Sequence, residues 1–115
     1  MTAARALSRL HDIKISISAI KVHLADRTVQ DLQTDIIALS AFERLLEVIS
    51  EASRRVPMEW KSGHPDIPWR NIGDLGNHLR HAYQRTNLSL LWEFYERDLD
   101  PLERAIDAML AAHDK

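Results

Sequence analysis

At 115 residues, with 45% hydrophobic and 28% charged side chains, the chain has the size and composition of one globular domain around a single core. It has no cysteine, which excludes disulfides and thiolate metal sites, and its three glycines and four prolines are too few for the many turns of an all-β fold. The formal net charge of −2 supplies no overall pull toward nucleic acid, so RNA binding would need a local basic patch, such as one formed across a dimer.

No apolar run approaches the roughly 20 residues needed to span a bilayer. The opening MTAARALSRLHD lacks an apolar secretory core. The expectation is a cytoplasmic protein with no membrane association. The first helix is predicted from about Ala3 to Ala25, with Leu10, Ile13, Ile17, Ile20 and Leu24 spaced at three and four as a helix-pairing seam. Ile15, Ala19 and Val22 form a second apolar line. Such a two-sided helix suits either a central core position or burial both within the monomer and against a second chain.

Asp26, Arg27 and Thr28 mark a turn, and Thr28 or Asp31 can cap a second helix running to about Val56. Leu32, Ile36, Leu39 and Leu46 mark one apolar line on it. Ala38, Phe42, Leu45, Ile49, Ala52 and Val56 broaden that face. Two long helices with a short turn between them imply an antiparallel hairpin. Pro57, Gly63, Pro65 and Pro68 then punctuate a loop, flanked by Trp60 and Trp69 as anchors to the bundle. Pro68 suits a helix start, where its missing N–H is not needed.

The third helix contains the distinctive segment HPDIPWRNIGDLGNHLRHAY, residues 64–83. Asp74, Asn77, His78 and His81 follow i, i+3, i+4, i+7 and share one polar face; Ile72, Leu75, Leu79 and Ala82 form the core stripe. Gly73 and Gly76 each cost about 1 kcal/mol in a helix interior relative to alanine, which suggests a bend or a close approach there. The reading is one continuous helix. Asn87 caps a fourth helix through Asp98, with Leu88, Leu91, Trp92, Tyr95 and Leu99 inward. Asp100, Pro101 and Glu103 open a short last helix to about Ala112. The fold class is therefore all-α, an up-and-down bundle of four main helices plus a short C-terminal one, in a single domain over residues 1–115.

The strings PWR-N-I and N-x-L-x-H-x-Y, here Pro68-Trp69-Arg70-Asn71-Ile72 and Asn77, Leu79, His81, Tyr83, resemble the HepT-like branch of the HEPN superfamily. The similarity extends over nearly the whole chain. It implies a metal-independent ribonuclease toxin with no cofactor, paired with a minimal nucleotidyltransferase of the MntA type as antitoxin. In the usual pattern an arginine directly precedes the Asn, five residues before the His. That position is Gly76 here. The resemblance also implies a homodimer that brings two signature motifs to one cleft, and nucleotidylation of Tyr83 by the partner.

Metal-free RNA cleavage needs proton transfer at the 2′-hydroxyl and the leaving 5′ oxygen, with cationic or hydrogen-bonding help at phosphorus. His81 is the candidate acid–base, since imidazole titrates near neutrality. Asn77 is one turn earlier and can orient it or the phosphate. Arg80 lies on nearly the azimuth of Gly76 and can reach back to supply the missing charge. Arg70 and Arg85 are further candidates, with Asp74 and His78 as supporting groups. Two other readings stand beside this one. Asp74, His78 and His81, with His64 from the loop, could hold a metal. Alternatively, the chain is a weak or inactive adaptor that only binds the nucleotidyltransferase. His11, His23 and His113 read as scattered surface histidines.

Overall fold

The computed structural model describes residues 2–81 and 88–114, with side chains through Arg80 and again from Leu88. Among these residues the secondary structure is entirely helical: α1 (Ala3–Leu24), α2 (Val29–Thr34), α3 (Ile36–Arg54), α4 (Met58–Lys61), α5 (Trp69–His81), α6 (Leu88–Arg97) and α7 (Leu99–His113). The predicted all-α bundle is what forms. None of these helices is long and apolar enough to cross a membrane.

The α1 seam is the middle of the core. Leu10, Ile13, Ile17, Ile20 and Leu24 are all fully buried, and α1 packs on α3 along one flank and on α7 along the other. The apolar face of α3 (Phe42, Leu46 and Ile49) closes that core. Its other flank carries α5, while α6 packs on α7. The second line of α1 is not a core face: Ile15 is 67% exposed and Val22 80%.

The second predicted helix is not continuous. Thr28 and Asp31 form a reciprocal capping box that starts α2, and Asp35 then breaks the chain into extended geometry. Its Oδ1 accepts the Ala38 N–H at 3.0 Å and restarts the helix as α3. That hydrogen bond first, then the nearby Arg27, holds the Asp35 carboxyl below its ordinary range. The break also leaves Ile36 in solvent at 72% exposure, against its expected place in the core line.

The last helix is longer than the sequence suggests and begins earlier, at Leu99. Pro101 is the third residue of its first turn, where a backbone N–H has no intrahelical partner to lose. Asp100 and Glu103 serve α1 instead of a cap. Lys21 Nζ lies 2.6 Å from both, and Lys14 Nζ lies 3.1 Å from Glu103 and 2.9 Å from Asp107. These contacts raise both amines, Lys14 chiefly through Asp107 and Lys21 chiefly through Asp100; Lys21 in turn lowers Asp100 and Glu103. Solvent screening holds such partly exposed pairs to about 0–1 kcal/mol each, so they orient α7 on α1 more than they stabilise it.

Within the 57–68 loop, α4 is a single turn. Trp69 Nε1 donates to the carbonyls of Lys61 (3.2 Å) and His64 (3.0 Å), which pins the loop to the start of α5. Trp60 stacks on His113 with ring centroids 3.8 Å apart. His113 is therefore engaged, and so is His23, whose Nε2 lies 2.8 Å from the Ala38 carbonyl. His113 is on the surface, as expected from sequence, while His23 is only partly exposed. His11 is on the surface as well, its ring more than half exposed and its Nε2 3.9 Å from the Asp114 carboxylate.

Candidate functional site

Helix α5 runs unbroken through both glycines. Its amphipathic pattern is strong enough to decide its roll: Ile72 and Leu75 are buried, Leu79 is half-buried, and Asp74, Asn77, His78 and Arg80 face outward. What passes beneath the glycines is α3. The buried Ser50 hydroxyl donates to the Gly73 carbonyl at 2.9 Å and accepts the Gly76 N–H at 2.8 Å. Ser53 and Ala52 beside it are small and buried as well. Small residues on both helices allow their backbones to approach, and the serine bridges the gap.

A Cβ at Gly76 would meet Ser50 Oγ at 2.8 Å and Ser50 Cβ at 3.2 Å. The same Cβ position lies 3.2 Å from Arg80 Nη1. The space left by the missing arginine side chain is thus occupied, from below by Ser50 and from outside by the tip of Arg80. Arg80 also lies 3.8 Å from Glu51 Oε2, a long ion pair with both side chains over 40% exposed. At that distance and exposure the pair is weak and salt-screened.

The polar stripe divides between two flanks of α5. Arg80 is on the α3 side, in a shallow groove shared with Arg9, Asp12, Arg44, Glu47 and Glu51. Asp74 and His78 are on the opposite side, where with Asn71 they form one wall of a cleft of about 290 Å³ facing Glu93 and Arg97 of α6 and Asp98 at the start of α7. Ile72, Leu75 and Phe94 line its floor. Asn77 lies between the flanks, exposed, one turn before His81. Arg70 is exposed two turns before Asn77 on the same helix. The backbone of His81 closes α5, but its side chain lies outside the described residues, as do Tyr83 and Arg85 altogether.

The metal reading gains no support from the described residues, none of which assemble three histidine or acidic side chains around a common point. His64 sits at the loop, where its carbonyl serves Trp69. Sequence reasoning missed Ser50 and the α6 wall of the cleft. A signal for Ser50 existed: Ser50, Ala52 and Ser53 are a run of small residues in an otherwise large apolar face, matching Gly73 and Gly76 in spacing. Nothing in the sequence marked Glu93 or Arg97, which form an i, i+4 ion pair.

Comparison with known proteins places these residues in context. The family model described as "Ribonuclease HepT-like" matches residues 13–109. The chain is 33% identical over 94 residues to the "Probable ribonuclease HepT" of Thermococcus cleftensis, covering 82% of this chain and 86% of that protein. It is 31% identical over 81 residues to the "Putative RNase TTE0752" of Caldanaerobacter subterraneus subsp. tengcongensis, covering 70% and 72% respectively. No solved structure matches the chain.

Proposed function

Since the chain belongs to the HepT-like ribonuclease family, we propose that it is a metal-independent endoribonuclease that cleaves RNA by attack of the 2′-hydroxyl, acting as the toxin of a toxin–antitoxin pair. The 2′ oxygen forms a bond to phosphorus as the bond from phosphorus to the 5′ oxygen breaks. The 2′ proton leaves to a base, an acid protonates the departing 5′ oxygen, and the products are a 2′,3′-cyclic phosphate and a 5′-hydroxyl. His81 carries the proton transfer. Asn77, one turn earlier, orients the phosphate or the imidazole, and Arg80 supplies positive charge for the crowded phosphorane oxygens. Arg70 is a more distant source of charge along the same helix.

The observation that supports this reading is the Arg80 guanidinium lying over Gly76. It restores a cation next to Asn77 on a helix that has lost its arginine one residue before it. Purified protein is expected to cleave single-stranded RNA in the presence of EDTA and leave 2′,3′-cyclic phosphate ends, read by phosphatase-resistant end mapping. Absence of cleavage from folded, partner-free protein would favour the adaptor reading, which the Ser50–Gly76 packing makes the natural alternative.

We further propose a homodimer and a minimal nucleotidyltransferase partner that modifies Tyr83. The exposed Ile15 and Val22 line on α1 supports the first; family membership supports the second. Native mass spectrometry of the chain co-expressed with such an enzyme reads both. The expected result is twice the 13.2 kDa chain mass, carrying nucleotide increments that Tyr83→Phe removes. A monomer without increments would contradict both.

A further inference from the structure

Asp74, His78 and Asn71 occupy one wall of the α5–α6 cleft, and among the described residues none of their side chains has a hydrogen-bond or ion-pair partner. They lie at i, i+3 and i+7 and converge on one opening. The opposite wall brings Glu93, Arg97 and Asp98, with Arg97 already engaged by Glu93. Among the described residues, three carboxylates stand against one paired guanidinium, a balance that disfavours phosphate there. Its floor is apolar, through Ile72, Leu75 and Phe94. A flat, uncharged group presenting N–H donors at its edge fits both features, and the cleft of about 290 Å³ is at the small end of ligand sites.

We infer that this cleft is a guanine subsite for the RNA next to the scissile phosphate. Among the bases, guanine alone presents two adjacent donors, N1–H and the 2-amino group, on its pairing edge. A single ionised carboxylate accepts both at once. Adenine and cytosine present one amino group beside a ring nitrogen acceptor, which a carboxylate repels. Asp74 is the acceptor, unengaged and aligned with the apolar floor. The Asn71 amide, one turn away, donates to the guanine O6. Single-stranded RNA exposes such edges, so recognition requires no duplex opening. The position also suits the reaction. His78 follows Asn77 directly and precedes His81 by three residues, a rise of about 4.5 Å along the helix. A base held against Asp74 and His78 thus places its neighbouring phosphate toward Asn77 and His81.

The inference rests on the ribonuclease reading, but its test does not require cleavage. Binding of guanosine, adenosine, cytidine and uridine is measured by NMR titration of the intact protein at millimolar nucleoside, following the Asn71 side-chain amide and the His78 ring. Guanosine is expected to shift both, with the other nucleosides at least about tenfold weaker, in the range of discrimination that one bidentate pair provides. Asp74→Asn, on an exposed position that leaves the helix intact, is expected to lose the preference for guanosine. Asn71→Ala is expected to weaken it less. Equal shifts from all four nucleosides, no shift at all, or a preference untouched by Asp74→Asn would each overturn the subsite, whether or not the protein cuts RNA. If it does cut, sequencing the ends from a randomised RNA is expected to show guanine enriched at one fixed position beside the cut, and loss of that enrichment in Asp74→Asn. A cleavage pattern without guanine bias would overturn the inference while leaving the ribonuclease intact.

Discussion

Returning an arginine to position 76 is expected to destabilise the protein rather than repair it. Every residue other than glycine puts a Cβ at that position, 2.8 Å from Ser50 Oγ and 3.2 Å from Ser50 Cβ. To relieve the contact Ser50 must rotate away and give up its bonds to the Gly73 carbonyl and Gly76 N–H, or α3 and α5 must separate. Overpacking costs about 1–3 kcal/mol, and stranding buried hydrogen-bonding groups costs a further ~1–3 kcal/mol. The sum is a large share of the roughly 5–15 kcal/mol that holds a domain together. Chemical denaturation of Gly76→Arg and Gly76→Ala should show losses of this order, with alanine alone carrying most of the effect. The double change Ser50→Gly with Gly76→Arg should recover part of it, because both close Ser50 atoms are gone and only the flexible tip of Arg80 remains near. A Gly76→Ala protein as stable as the parent would mean that the two helices are not held by this contact.

The largest effect on activity is expected at His81. On the proposed mechanism His81→Ala removes the proton-transfer group and should lower cleavage by about 10²–10⁴-fold. Arg80→Ala should lower it by about 10²–10³-fold, the usual loss for one charge-stabilising donor. Arg80→Lys should recover only part, since an ammonium lacks the paired donors of guanidinium. Because Arg80 is exposed and its pair with Glu51 is long, thermal stability should hardly change. That separates a role in the reaction from one in the fold. An Arg80→Ala protein with full activity would return charge stabilisation to Arg70 or to another chain.

Much of the fold was legible because it depends on periodicity. The α1 seam, the apolar face of α3 and the Ile72–Leu75 stripe of α5 recur at helical spacing, and burying them is the largest favourable term available to a chain of this size. The misreading of residues 28–56 as one helix has a local cause. Asp35 sits between apolar residues whose spacing continues across it, and only its bond to the Ala38 N–H turns it from an interior residue into a cap. The absence of an arginine at 76 was legible too, but not what replaced it.

The sequence by itself determined that the chain is all-helical, which side of each long helix seeks the core, and that Asn77 and His81 are one turn apart on a helix. Those properties follow from covalent spacing and solvent preference, which act within a few residues. Only the tertiary structure decided what lies across from them. The crossing of α3 beneath α5 made Ser50 the partner of two glycines 23 and 26 residues away. The placing of α6 across from α5 turned one wall of polar side chains into a cleft, with Asp74 and His78 on a different flank from Arg80. Contacts between residues so far apart in the chain depend on how closely the helices approach, and that distance is set by the bulk and bonding of both surfaces together.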